Sequence, residues 1–329
     1  MDESIKLELP DLKINIKIIF VVGHTASGKS QWALEQAQKY QGSIVNIDSV
    51  QFYKGLAVGS AAPSPEDLLK APHYLYSYVH APDEMTAGNF LRDFYQLIDG
   101  KKIQSPIFVV GGTGFYIQAL EKGMYDVEPI ETTYREQIEE ELKSQGAEKL
   151  FLELKTADAN CQIHKNDHFR LVRAIEVLRA FGKTPSDLKL QSLNQKNKNS
   201  LPYAFIKIGF SLPKELALEN VQKRTLWMIE NGLIQETEKM LNQGFQDWAP
   251  LSSVGYKETC EFLLLKKSKA WLVEAINQST MQLIKKQKTW FKRDSTILWS
   301  DCSLESFQKI EQQLDLFLTR IDVEPVAKR

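Results

Sequence analysis

The chain has 329 residues, room for one large or two smaller domains. Its 43% hydrophobic and 25% charged residues suit a soluble globular protein; no apolar run nears the ~20 residues of a membrane span, and residues 1–10 are too acidic for a secretory signal. The expected compartment is therefore the cytoplasm. The 41 basic and 42 acidic residues leave a net charge of −1, so any nucleic-acid contact must come from local patches. Cys161, Cys260 and Cys302 are scattered in no metal-ligand spacing and read as reduced, packed thiols.

The first element is an apolar run over 16–22, with only Lys17 charged, which reads as a buried strand. It leads into Gly23-His24-Thr25-Ala26-Ser27-Gly28-Lys29-Ser30, and Ala33, Leu34 and Ala37 then recur at helical spacing. A G-x-x-x-x-G-K-S at a strand-to-helix junction is a phosphate loop. Its glycines let backbone N–H groups converge on an anion, the helix N-terminus adds a favourable dipole, Lys29 reaches the phosphates, and the Ser30 hydroxyl can ligate Mg2+. By itself the loop points to a nucleoside triphosphate, hence a kinase or NTPase.

A second strand over 43–47 ends at Asp48-Ser49. Ligands of open parallel sheets lie at the carboxyl ends of the strands, so Asp48 should project near whatever the loop holds, as an outer Mg2+ ligand or a general base. The structural alternative is a helix N-cap. Residues 55–65, rich in Gly, Ala, Ser and Pro, read as a loop, and His73 and His80 as ordinary polar or packed residues. Phe90, Phe94, Leu97 and Ile98 make a helix with Thr86 as candidate cap. A third buried strand, 106–110, runs into Gly111-Gly112-Thr113-Gly114, a second glycine-rich turn on the same edge; in isolation it would be an ordinary strand-to-helix turn.

From 121 to 200 strand-like runs vanish, and amphipathic helices over 134–142, 149–154 and 167–181 suggest a helical insertion. Arg170 and Arg173, three apart, share a flank that alone reads as a solvated face. Residues 191–200 read as a flexible connection back to the core. A strand over 203–210 follows, then a helix opened by Pro213 and closing near Gly232, which can aim Arg224 into the crevice. In the helix over 271–293, Lys285, Lys288 and Lys292 form a stripe opposite Leu272, Ile276, Leu283 and Trp290. It is either a phosphate-backbone patch or a solvated face. Residues beyond Leu304 make one more amphipathic helix and a charged tail.

Together these stretches resemble the tRNA dimethylallyltransferases. The matching residues are 23–30, Asp48-Ser49-Val50-Gln51 with Tyr53-Lys54-Gly55, Gly59-Ser60-Ala61, Pro72-His73, Gly111 through Tyr116, Asn166-Asp167 with Arg170 and Arg173, Gly182-Lys183-Thr184, Arg224 with Met228 and Gly232-Leu233, Val254-Gly255-Tyr256-Lys257-Glu258, and Gln282 through Thr289-Trp290-Phe291. The resemblance implies an α/β fold with a P-loop NTPase-like parallel sheet flanked by helices and an all-helical insertion domain. The expected divisions are a core at 14–122 and 201–300, an insertion at 123–200 gripping the tRNA anticodon stem-loop, and a C-terminal helix and tail at 301–329.

It also implies that the loop holds the diphosphate of dimethylallyl diphosphate rather than a nucleotide, through Gly23, Thr25, Ala26, Ser27, Gly28, Lys29, Ser30 and Arg224. Asp48 would take the proton of the adenine N6 amine, while Lys29, Arg224 and a Mg2+ on Ser30 would neutralise the leaving group. Position by position, Asp48, Ser49, Val50, Gln51, Thr113, Arg135, Phe169, Arg170, Arg173, Gly255, Tyr256 and Lys257 would contact the RNA, joined by Lys285 and Lys288 of the basic stripe, and the target base would be flipped out. The expected partners are tRNA and dimethylallyl diphosphate, with no membrane, and the working state is a monomer. The chain departs from the family pattern at His24 (usually proline), Ala62 (lysine), Asn220 and Met281 (arginine); the last three each remove a cation. Competing readings are a P-loop small-molecule kinase, a tRNA-binding protein with impaired catalysis, and prenyl transfer to free adenine nucleotides.

Overall fold

Lys17–Gly23 is buried along its whole length, which is why it carries no alternating polar face: it is the central strand of a parallel sheet covered on both sides. This strand, β1, is joined by β2 (Ser43–Asn46), β3 (His73–Tyr74), β4 (Ile107–Gly111), β5 (Ala204–Phe210) and β6 (Ile297–Ser300) in a computed structural model describing residues 16–124, 130–194 and 200–320. The order across the sheet is β3-β2-β4-β1-β5-β6, and every pairing is parallel. Phe20 sits opposite Val109 on one side and Lys207 on the other. That register brings Gly23, Gly111 and the residues after Asn46 to the same edge. The expected α/β parallel fold is the observed one.

The short edge strands β3, two residues, and β6, four residues with Leu298 and Trp299 exposed, were not anticipated. Two loop readings are also corrected. Within 55–65, Ala57–Ser60 forms one helical turn. Residues 191–194 belong to the helix Pro185–Asn194, while 195–199 and the tail at 321–329 lie outside the described residues.

The helices begin where their caps dictate. Thr86 accepts from the Asn89 N–H, Asp167 from Arg170, Ser268 from Trp271 and Ser303 from Ser306, each satisfying a donor that the first turn would leave unpaired.

The chain divides into two units: Met1–Ile117 with Pro202–Arg329, and Gln118–Leu201. In the first, the helix Lys29–Lys39 packs Trp32, Ala33 and Ala37 with Ile19, Val21, Phe108 and Phe210 of the sheet, in a cluster shared by Ile310 and Leu314 of the last helix, Leu304–Thr319. Lys17 Nζ donates to the Phe317 and Leu318 carbonyls at 2.8 and 3.2 Å and to that of Arg320, closing the end of the last helix. A second cluster of the same unit joins Tyr53, Leu56, Met228, Leu233, Tyr256, Leu272 and Ile276.

The second unit has its own core of Ile138, Leu150, Leu154, Leu171 and Ile175. The helices Thr132–Gln145, Ala147–Ala157 and His168–Phe181 supply it. Arg179 stitches them by bidentate pairs to Glu141 and Glu153 at 2.7–3.0 Å.

Candidate active site

The phosphate loop follows β1 directly, and its glycines are required by geometry. Gly23 has φ +143°, and a Cβ there would meet the Phe210 carbonyl at 2.4 Å. Gly28 is left-handed at φ +87° and caps the helix Lys29–Lys39. Lys29 is buried and donates to the His24 carbonyl at 3.3 Å. Burial brings its amine down to about 8, against the Asp48 carboxylate, which favours the charge, and with the Arg224 guanidinium, which opposes it. Ser27 Oγ is buried without a partner, and Ser30 is exposed on the first helical turn.

His24 is locked in one tautomer. Its Nε2 accepts the Leu212 N–H at 3.1 Å, so the proton sits on Nδ1, 2.7 Å from the Thr25 carbonyl. Burial, and then the Lys288 and Lys29 charges, hold the ring near 4 despite the Thr25 carbonyl. It is neutral at physiological pH.

Asp48 follows β2 and closes a turn rather than capping a helix: Oδ1 accepts the Val50 N–H at 3.0 Å, and the Asp48 N–H donates to Asn46 Oδ1 at 2.8 Å. Thr113, in the second glycine-rich turn, accepts the Ser49 N–H at 3.0 Å. The glycines of that turn permit close approach. A Cβ on Gly111 would meet Asp48 N at 2.7 Å, one on Gly112 would meet Gln287 Nε2 at 2.3 Å, and one on Gly114 would meet Trp290 Nε1 at 2.0 Å.

Arg224, on the helix Lys214–Glu230, donates from NH1 to Thr25 Oγ1 at 3.0 Å and from NH2 to the Ser60 carbonyl at 3.4 Å. Its guanidinium is held below its ordinary value by burial, with Asp48 opposing.

These groups surround a cavity of about 440 Å³ within the first unit. Among the described residues its wall carries one carboxylate, Asp48, beside Thr25, Thr113, Arg224, Lys286 and Gln287; Val221, Met228, Ile276, Leu283 and Trp290 add apolar surface, and Ser49, Ser60, Thr225, Ser252, Ser253 and Thr280 add hydroxyls. One side is fit for an anion, the other for hydrocarbon or an aromatic base.

Of the residues expected at the site, Thr25, Asp48, Ser49, Val50, Thr113 and Arg224 line this cavity, with Lys29 electrostatically coupled to two of them. Gln51 stands nearby, its amide spent on the Ser60 and Ala61 carbonyls at 2.9 Å each.

Other expectations need correction. Tyr256 is fully buried and Gly255 is buried with it, so neither presents a surface to RNA; Lys257 is exposed. Lys288 donates to the Leu212 carbonyl at 2.6 Å instead of facing solvent. Lys285 is exposed but does not line the cavity, whereas Lys286 does. Met281 is partly buried and packs against the cluster of Leu212, Val221 and Ile284. Asn220 donates to the Ala26 carbonyl at 3.2 Å.

In the second unit Phe169 is 73% exposed, and the Arg135 guanidinium lies 6.0 Å from its ring centroid. Arg170 pairs with Asp167 and Arg173 with Glu176, each at 2.7 Å.

The residue missed was Gln287. Its Oε1 accepts the Thr25 N–H at 3.0 Å and its Nε2 donates to the Gly112 carbonyl at 3.1 Å, bridging the two glycine-rich turns. The signal was available: Ile276, Thr280, Leu283, Gln287 and Trp290 recur at helical spacing, and all five line the cavity.

For a metal, the described residues contain no group of three His, Cys, Asp or Glu side chains. The donor present is the exposed Ser30 hydroxyl beside the loop. This fits Mg2+, which keeps most of its shell as water and substrate phosphate oxygens, and does not fit a metal needing a cage of protein ligands.

A parallel sheet with a phosphate loop after its central strand, opening on a partly apolar cavity that carries an acid from the end of β2, two strands away, fits a transferase of phosphate-activated substrates. The family model described as IPP transferase matches residues 51–294. The tRNA dimethylallyltransferase of Bdellovibrio bacteriovorus is 44% identical over 304 residues, covering 92% of this chain and 98% of the relative. The chain belongs to this family of IPP transferases. Among solved structures, the tRNA delta(2)-isopentenylpyrophosphate transferase of Staphylococcus epidermidis is 28% identical at a TM-score of 0.61, with 92% of this chain and 99% of that one covered. A eukaryotic dimethylallyltransferase, solved acting on tRNA, shares the fold at a TM-score of 0.75 and 24% identity, over 95% of this chain and 81% of that one.

Proposed function

We propose that this chain transfers a dimethylallyl group from dimethylallyl diphosphate to the N6 amine of the adenosine 3′ to the anticodon in tRNA. The observation that carries the residue assignment is that Asp48 and Arg224 line one cavity that also presents apolar side chains, with the buried Lys29 electrostatically coupled to both.

The chemistry follows from what these groups can hold. The N6 lone pair is delocalised into the adenine ring, so the amine attacks well only if its proton leaves as the new bond forms. Asp48 is the base: Oδ1 is steadied by Val50, which aims the carboxylate. The N6–C1 bond forms, the C1–O bond to diphosphate breaks with its electron pair going to the departing oxygen, and the N6 proton passes to Asp48. Lys29, Arg224 and the loop N–H groups receive the negative charge, fixed in place before it develops. The apolar wall excludes water from the allylic carbon, which would otherwise be hydrolysed.

Ser30 and the diphosphate would hold a Mg2+ ion, which would supply further charge neutralisation of the leaving group. The helical unit Gln118–Leu201 binds the anticodon stem-loop, with Phe169 and Arg135 as its exposed aromatic and cation and Arg170 and Arg173 available to phosphates. Among the described residues no helix is long and apolar enough to cross a membrane.

The test is incubation with dimethylallyl diphosphate and either tRNA or AMP. A gain of one dimethylallyl group on the adenosine beside the anticodon, absent with AMP, is expected. Modification of AMP alone, or ATP turnover without RNA, would overturn the reading.

A further inference from the structure

The one-turn helix Ala57–Ser60 is held from outside itself. Its N-cap residue, Leu56, offers no side-chain acceptor. Glu236, from the helix Leu233–Asn242, supplies it instead: Oε2 accepts the N–H groups of Ala57 and Val58 at 2.7 and 3.1 Å, and Oε1 accepts that of Gly59 at 3.1 Å. The Tyr256 hydroxyl donates to the same Oε1. Its ring forms a wall against the turn: a Cβ on Gly59 would meet Tyr256 Cζ at 2.5 Å and Leu233 Cδ1 at 2.7 Å.

The far end of this turn faces the cavity. The Ser60 carbonyl accepts Gln51 Nε2 at 2.9 Å and Arg224 NH2 at 3.4 Å, and Arg224 NH1 continues to Thr25 Oγ1 at 3.0 Å. Gly59, Ser60 and Arg224 line the cavity, while Glu236 and Tyr256 do not.

We infer that Glu236 and Tyr256 are positioning residues for the transfer, fixing the 57–60 turn so that the Ser60 carbonyl orients the Arg224 guanidinium at the cavity. A half-buried carboxylate that accepts three successive backbone N–H groups and a hydroxyl is a firm anchor for the turn, because four donors share its two oxygens. Arg224 has a flexible stem, and its fork is useful against a diphosphate only when its plane is set. The Ser60 carbonyl and Thr25 hydroxyl set that plane. The inference rests on the assignment of Arg224 to the departing diphosphate.

The experiment measures KM for dimethylallyl diphosphate and for tRNA in Glu236→Gln, Tyr256→Phe, Arg224→Lys and the double variant Glu236→Gln/Arg224→Lys, with thermal melting alongside. Tyr256→Phe removes only a hydroxyl and carries the same test if Glu236→Gln does not fold. The expected result is a rise of about ten-fold or more in KM for dimethylallyl diphosphate in each single variant, with KM for tRNA within about two-fold. In the double variant the rise should not exceed that of Arg224→Lys by more than about two-fold, because both changes act on one guanidinium. Multiplicative effects, or single variants at Glu236 and Tyr256 that leave both KM values unchanged or raise them equally, overturn the inference while the Arg224 assignment stands. An unchanged KM in Arg224→Lys overturns that assignment, and the inference with it.

Discussion

Gln287 and Thr25 are joined at the point where the phosphate loop leaves the sheet: the Thr25 N–H, one of the groups an anion could use, donates to Gln287 Oε1 at 3.0 Å. The other end of the same amide holds the Gly112 carbonyl at 3.1 Å, so the two glycine-rich turns share one support. Replacing Gln287 by Leu leaves both backbone groups without that partner and should cost about 1–3 kcal/mol of stability. It should also slow transfer. Gly112→Ala, whose methyl would meet the Gln287 amide at 2.3 Å, should reproduce the slowing by displacing the same side chain. Denaturant titration and single-turnover rates of the two variants check this; wild-type rates in both would refute it.

Binding of the diphosphate should weaken in alkali. The Lys29 amine, brought down to about 8 chiefly by burial, is charged below that pH and neutral above it. Affinity for dimethylallyl diphosphate should therefore fall roughly ten-fold per pH unit above about 8, until the titration of the bound state is reached. Calorimetric titration across that range measures it. Lys29→Arg keeps its charge throughout and should flatten the profile, whatever its absolute affinity.

Acid should loosen the same loop by a different route. Folding keeps His24 neutral near 4 against 6.5 for the free side chain, so the unfolded chain binds the extra proton as pH falls through that window. Stability must drop there. A His24→Leu variant lacks this penalty, so its deficit relative to the wild type, set at neutral pH by the lost bonds to Thr25 and Leu212, should narrow as pH falls toward 4. Parallel denaturant melts at neutral and acid pH compare the two; a constant gap would contradict the assignment of a buried neutral imidazole.

Asp48→Asn separates chemistry from binding. The amide oxygen can still accept the Val50 N–H, so the turn survives, but the base is gone. Transfer should fall by about 10²–10⁴-fold. Affinity for an anticodon stem-loop, read by fluorescence anisotropy, should stay within about two-fold, because a neutral side chain replaces one charge in a wide interface. Equal losses in both would instead make Asp48 a recognition residue.

Phe169→Ala tests the helical unit by itself. The ring is exposed and contributes nothing to that unit's core, so its melting temperature should not move. Loss of a base-stacking platform should weaken stem-loop binding by about 1–3 kcal/mol.

The sheet was legible where its strands are buried on both faces, because β1, β2, β4 and β5 then read as apolar runs. β3 has only two residues, and in β6 the three apolar residues Ile297, Leu298 and Trp299 are too few to tell from a helix or loop segment. The phosphate loop, Asp48 and Arg224 were legible because their chemistry demands particular residues at strand ends and on the following helix. Tyr256, expected from the family pattern to contact RNA, is buried, and its burial was not legible, since a local motif does not say which side of a helix meets the core. Gln287 was overlooked amid lysines: charge drew attention to one stripe of that helix, whereas the cavity lies along another, marked by Leu283 and Trp290.

The pairing of β1 with β5 has a consequence for how the protein is made. The strand that carries the phosphate loop is made before its neighbour β5, which follows only after the whole unit Gln118–Leu201, and the carbonyls gripped by Lys17 lie beyond residue 316. The helical unit, with its own core, can fold while the phosphate loop still waits for half its cradle. A nascent chain stalled before the last helix would hold a finished helical unit and a sheet face still lacking Ile310 and Leu314, the species that chaperones and proteases should intercept.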